Sequence, residues 1–191
     1  MELVEEARLG VHPPEFMPFS VPWTDAPADQ LGVRMLQYYW GTRAAFTPDD
    51  WSIHFLVRLD GRVIGTQGLS ATRFGVLRAA HTGSWLGMRH QGNGYGAEMR
   101  AAVVLFAFDH LGATQVRSDA FVDNAASRAV SRKLGYQEDG STLVAPRGKP
   151  VTSVRLLLAA ERFVPFRPKW SLDVTGLDGC RSLVDSGEKD N

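Results

Sequence analysis

A run of glycines between two differently patterned segments constrains this 191-residue chain more than any other feature. His81-Thr-Gly-Ser-Trp-Leu-Gly-Met88 is short and largely apolar, as a buried strand is, while Ala97 to Leu111 spaces its apolar residues as a helix does. Between them lie Arg89, His90 and the turn Gln91-Gly92-Asn93-Gly94-Tyr95-Gly96. Gly92, Gly94 and Gly96 carry no Cβ, so their backbone is free to adopt positive φ and let an anion approach its N–H groups. Those groups sit at the positive end of the following helix, where a phosphate is stabilised. This order of strand, side-chain-poor turn and helix start predicts a diphosphate cradle. The turn alone leaves the ligand open, because Gly92-x-Gly94-x-x-Ala97 also satisfies the dinucleotide fingerprint of a βαβ unit, with Asp119 as the ribose-binding acid.

The surrounding pattern predicts one mixed α/β domain. Leu3, Val4, Ala7 and Leu9 have helical spacing over Glu2 to Leu9, and Gly10 precedes an irregular, proline-rich stretch from His12 to Trp23. A second helix is expected from Ala26 to Ala45. Trp51 to Leu59 alternates as a strand, Asp60-Gly61 is a hairpin turn, and Arg62 to Leu69 returns. Thr114 to Phe121 is the next strand, followed by a helix around Ser127 and strands around Leu143 to Ala145 and from Val151 to Leu158. Residues 1–165 are expected to form the domain and 166–191 an extension, with Trp170 to Thr175 as a strand candidate and Ser186 to Asn191 as a disordered tail.

The segment after the Thr114 strand breaks the tie between ligands. It reads Asp123-Asn124-Ala-Ala-Ser127-Arg128-Ala-Val-Ser131-Arg-Lys-Leu134-Gly135-Tyr136. Gln91-x-x-Gly94-x-Gly96 resembles the acyl-CoA pyrophosphate motif of the GNAT superfamily of N-acyltransferases. Asn124-x-x-Ser127 ending in Leu134-Gly135-Tyr136 resembles its RimJ/RimL-like ribosomal-protein-acetylase branch, and the similarity runs from about Trp51 to Leu158. The resemblance implies a central mixed, mostly antiparallel sheet flanked by helices. Family members usually open with a strand before the first helix, and that strand is absent from the start of this chain. A dinucleotide fold would require further βαβ units where this sequence has hairpin strands.

The implied chemistry is direct attack of an amine on an acyl-CoA thioester, most commonly acetyl-CoA. It needs a neutral amine, a stabilised oxyanion and a proton for the departing thiolate. By the resemblance, Leu86, Gly87 and Met88 supply backbone contacts to pantetheine, and Gln91, Gly92, Asn93, Gly94, Tyr95 and Gly96 hold the pyrophosphate. The alternative for Gly83 and Gly87 is relief of packing or a bulge. Asn124, Ser127, Arg128 and Ser131 line the cofactor side of the next helix. The serine matching Ser127 is the branch's thiolate acid, whereas much of the superfamily has a tyrosine at the position of Ser131. Asn124 is equally an N-cap, and Ser131 a packing residue. His81 and Asp119 are the candidate bases, since an imidazole with an ordinary pKa near 6.5 accepts a proton at neutral pH; each is otherwise a satisfied or solvated side chain. The carboxylate that part of the branch carries after the Gly-aromatic strand has no counterpart in Ala145-Pro146-Arg147. Arg89, Arg128, Arg132 and Lys133 form a basic rim suited to the CoA 3′-phosphate. A longer donor such as succinyl-CoA would need a cation near its acyl end. Aromatics before Trp51 are candidates for core or for an acceptor pocket, with Trp23 the leading pocket residue.

Composition narrows the classes further. Lys and Arg total 21 against 21 Asp and Glu, so no nucleic acid is implied as an obligatory partner. One cysteine, Cys180, allows neither an internal disulfide nor a thiolate cluster, and the five histidines lack paired ligand spacing, so no metal is expected. No apolar run approaches the roughly 20 residues of a membrane helix, and the acidic start is unlike a secretory signal. The expectation is a cytoplasmic acyltransferase acting on a small-molecule or protein amine, with no membrane partner; homodimers are common among similar proteins. A second reading is an acyl-CoA-binding sensor without turnover.

Overall fold

A computed structural model of the chain describes residues 1–184; the tail expected to be disordered, Ser186 to Asn191, lies outside the described residues. Two helices, α1 (Glu2–Arg8) and α2 (Ala28–Ala44), precede the hairpin of β1 (Asp50–Leu59) and β2 (Arg62–Thr72). A single turn, α3 (Phe74–Leu77), leads to β3 (Ala79–Leu86), α4 (Tyr95–Leu105), β4 (Gln115–Phe121), α5 (Ala125–Lys133), β5 (Gln137–Val144) and β6 (Val151–Ala159). Two further single turns, α6 (Ala160–Phe163) and α7 (Arg181–Val184), close the chain. The strands form one six-stranded sheet in the order β1-β2-β3-β4-β6-β5. Every pairing is antiparallel except that of β3 with β4.

This is the mixed, mostly antiparallel sheet flanked by helices that the resemblance implied, and among the described residues no strand precedes β1. α1 packs along β2 instead, where the Glu2 carboxylate accepts hydrogen bonds from the Val63 N–H at 3.3 Å and from Arg58 at 2.9 Å. The β1–β2 turn forms as its sequence dictates: Asp60 and Gly61 have φ of 48° and 80°, the pair of left-handed residues that matches the twist of a tight hairpin.

Successive residues of β3 point to opposite faces. Trp85 packs with the N-terminal helices, in a cluster around Val4, Ala7, Val11, Leu31 and Met35. Leu86 points the other way, toward Gly96 of α4. The larger core lies on that second side and includes Val104, Val116, Leu158 and Phe163, each fully buried.

Three sequence expectations shift. The long helix starts at Tyr95, and its last turn, Phe106–His110, widens to π geometry. β5 begins at Gln137 and not near Leu143; it is an edge strand with both faces largely exposed, so apolar alternation never marks it. Trp170 to Thr175 forms no strand. Leu172 and Val174 pack against the core, and the Trp51 indole N–H donates to the Val184 carbonyl at 2.9 Å, which ties α7 to β1. Among the described residues no helix is long and apolar enough to cross a membrane.

Candidate active site

The sheet opens in its middle. β3 and β4 pair at Ala79↔Gln115, Ala80↔Val116 and His81↔Arg117, and there the ladder stops. β3 stays paired with β2 as far as Leu86, and β4 with β6 as far as Phe121, so a gap widens between Thr82–Leu86 and Ser118–Phe121. Hydroxyls take over at its closed end: Thr82 Oγ1 donates to the Arg117 carbonyl at 3.2 Å, and Ser118 Oγ donates to the Thr82 carbonyl at 3.3 Å. The Gly87 N–H bonds the Ile64 carbonyl of β2 at 2.9 Å. Strand alternation therefore turns the N–H groups of Ser84 and Leu86 toward the gap.

The glycine turn lies at the open end. Gly92 and Gly94 have φ of 79° and 88°, and Gly94 is the N-cap of α4. Among the described residues, the N–H groups of Gly92, Asn93 and Gly94 meet no acceptor in the protein. Unsatisfied donors at a helix N-terminus make the anion site that the sequence predicts. Gln91 braces the turn, its Nε2 donating to the carbonyls of Val11 at 2.8 Å and Leu86 at 2.9 Å. Gly96 departs from the expected positive φ. It lies inside α4, where an added Cβ would make ordinary contact with Val130 at 3.7 Å and Leu86 at 3.9 Å, so neither backbone conformation nor packing demands a glycine there. Tyr95, also in the first turn, is half-buried.

Of the three residues expected to offer main-chain contacts, Met88 also has its N–H engaged, with the Gly10 carbonyl at 2.9 Å. Gly87 fits the packing alternative directly, because a Cβ there would fall 1.8 Å from Glu6 Oε1. Glu6 is 2% exposed, and its carboxylate is held by Arg89 and by His90 at 3.4 Å. Arg89 is thus already neutralised, and Arg128 pairs with Glu138 at 2.6 Å while donating to the Val122 carbonyl. Arg132 and Lys133 are exposed.

α5 starts beside the gap. Asn124 caps it by accepting the Ser127 N–H at 3.1 Å. Ser127 is half-buried, whereas Ser131 is fully buried and donates its hydroxyl to the Ser127 carbonyl at 3.1 Å.

The sheet face opposite α4 carries the proton-transfer candidates. His81 Nε2 and Asp119 Oδ2 are 2.6 Å apart across the closed end of the gap, both side chains being a little under half exposed. In this pair Nε2 donates and the carboxylate oxygen accepts. Two residues considered separately in the sequence therefore form one dyad.

That face also bears a cavity of about 760 Å3 lined by His81, Ser84, Trp85, Trp23, Tyr38 and Tyr39, among others. Trp23 lies 5.4 Å from both Phe19 and Trp85, centroid to centroid. Its loop is fastened by Arg147, which grips Asp25 through two hydrogen bonds of 2.7 and 2.5 Å and donates to the Pro14 carbonyl at 2.9 Å. Arg147 thus stands where the branch's carboxylate was missed, as a clamp. His54 escaped the sequence analysis; it lies edge-on to Tyr38 and Tyr39 in the same cavity. Burial, and then the charge of Arg43, hold its pKa below the ordinary 6.5. Among the described residues no group of three or more His, Cys, Asp or Glu side chains is placed to hold a metal ion.

Arg100 was also missed. Its signal is a charged residue on the core-facing stripe of α4, three and four positions before Val103 and Val104. It is 5% exposed and crosses the gap, donating to Ser118 Oγ at 2.9 Å and Ser84 Oγ at 3.1 Å.

Comparison with known proteins agrees with this geometry. A family model described as an acetyltransferase (GNAT) domain matches residues 6–137. Among solved structures, the chain is similar to Mycobacterium smegmatis RimJ in complex with CoA-disulfide, at 21% identity over 72% of this chain and 66% of that one, with a TM-score of 0.63. It is similar to RimL, a ribosomal L7/L12 alpha-N-protein acetyltransferase in complex with coenzyme A, at 16% identity, 83% and 85% coverage and a TM-score of 0.62. It is likewise similar to a ribosomal-protein-S5-alanine acetyltransferase from Vibrio fischeri, at 18% identity, 72% and 73% coverage and a TM-score of 0.54. A sheet that parts beside a glycine turn with free amides, within a span that the family model covers, makes this chain a member of the GNAT family of acyl-CoA-dependent acetyltransferases.

Proposed function

We propose that the enzyme is an acyl-CoA-dependent N-acyltransferase that acylates a primary amine within a ternary complex. The supporting observation is the convergence on one gap of three things: free amides at its open end, the His81–Asp119 dyad at its closed end, and an aromatic cavity on the dyad's face. The N–H groups of Gly92 to Gly94 hold the diphosphate. The N–H groups of Ser84 and Leu86 run along the pantetheine arm and polarise the thioester carbonyl. The amine enters through the cavity beside Trp23 and Trp85, and His81 Nδ1 takes its proton, directly or through water, while Asp119 steadies the imidazolium. The nitrogen attacks the thioester carbon, the C–S bond breaks and the Ser127 hydroxyl protonates the leaving thiolate; Ser127 then regains a proton from solvent as the His81 imidazolium gives one up.

The RimJ and RimL likeness supports a peptide N-terminus or small amine as acceptor. Among the described residues no carboxylate lines the cavity, and Arg34 does, so those residues offer a polycation no counter-charge there. The test is thermal denaturation with acetyl-CoA and with NAD(H), followed by thiol release over a panel of amines. Acetyl-CoA should raise the melting temperature and NAD(H) should not; the reverse removes the reading. Binding without release for any acceptor makes the protein a sensor.

A further inference from the structure

We propose that Arg100 selects the acyl donor, giving preference to a CoA thioester whose acyl chain ends in a carboxylate, of the succinyl kind. This rests on the gap being the thioester site and deepens that reading by naming the donor class. Arg100 is nine-tenths buried and, among the described residues, bonds only neutral groups: the hydroxyls of Ser84 and Ser118, with the Tyr136 phenol close by. No carboxylate pairs with it among the described residues. Its Nε and the Tyr136 hydroxyl are both buried without a hydrogen-bond partner of normal geometry. A buried cation left unneutralised is costly, and an anion brought to it recovers that cost. Arg89, Arg117, Arg128, Arg147 and Arg167, by contrast, each pair with a carboxylate.

Position directs the charge at the donor. A thioester bound by the N–H groups of Ser84 and Leu86, with its diphosphate at Gly92 to Gly94, extends its acyl end toward the closed end of the gap. Arg100 crosses there, and Ser84, which it holds, also lines the cavity. A terminal carboxylate can replace one serine contact with a charge-assisted bond; an acetyl methyl cannot.

The test is calorimetric binding of acetyl-CoA, succinyl-CoA and free CoA, without acceptor, to the wild type and to Arg100→Met. Wild type should bind succinyl-CoA about tenfold or more tightly than acetyl-CoA, the gain of one charged hydrogen bond. Arg100→Met should bring the two within about twofold while free CoA changes less than about threefold. A residue that merely braces the strands would weaken both donors alike and leave their ratio intact, which overturns the proposal. Equal wild-type affinities overturn it without any variant, and where Arg100→Met does not fold Arg100→Gln takes its place, a polar side chain without the charge, in which a surviving succinyl preference overturns the proposal. Donors bound equally but acceptors favoured when they carry a carboxylate would move the anion to the acceptor and also overturn it. If no CoA species binds, the thioester site itself is wrong.

Discussion

Replacing Gly94 with alanine separates the cradle's backbone geometry from its ligand contacts. Gly94 has φ 88° and ψ −14°, and an added Cβ there would meet nothing within 4 Å. The cost in the free protein is therefore conformational alone, about 1–2 kcal/mol for an L-residue held left-handed. For a domain of this size that lowers the melting temperature by roughly 2–8 °C. The methyl stands in the open space from which the amides of Gly92, Asn93 and Gly94 would reach a diphosphate. Keeping an anion from one such donor forfeits a charge-assisted bond of about 1.5–3 kcal/mol, or roughly 10- to 100-fold in affinity. Calorimetric titration of CoA into the folded variant measures this directly. Gly87→Ala is the control: its Cβ would stand 1.8 Å from Glu6 Oε1 and 2.7 Å from Glu6 Cδ, so it displaces a buried carboxylate and should cost about 3 kcal/mol in urea unfolding. Gly94→Ala binding CoA within about twofold of wild type would show that the diphosphate lies elsewhere.

Two further predictions concern histidines. His81→Ala should lower kcat about a hundredfold or more, Asp119→Asn should also lower it, and the double variant should be no slower than His81→Ala, because one dyad is removed once; an unaffected Asp119→Asn would break the dyad. His54 is held neutral by burial, with a folded pKa below its ordinary 6.5, so the unfolded chain binds the extra proton. Stability should fall as pH drops below about 6.5 and level off beneath the folded pKa, and His54→Phe should flatten that slope in urea titrations. An unchanged slope would assign the pH dependence to other groups.

Local chemistry made much of this protein legible. The Asp60-Gly61 turn, the Gly92 and Gly94 bend and the Asn124 cap are each determined by a few adjacent residues whose backbone preferences act over short range. The family motifs lie in those same contiguous stretches. What stayed hidden has a long-range cause. β5 is a solvated edge without an apolar period, and the pairing of Glu6 with Arg89 and Gly87 joins residues some eighty positions apart.

By itself the sequence determined that a glycine turn opens a helix beside an apolar strand, since turn and helix start depend only on neighbouring φ, ψ and side chains. Only the tertiary structure decided that His81 meets Asp119, that Arg147 clamps the Trp23 loop, and that Arg100 lies uncompensated across the gap. Arg100 crosses a gap that exists because β3 and β4 part after three paired residues, and where a ladder stops is fixed by packing on both faces of the sheet, which no local pattern records.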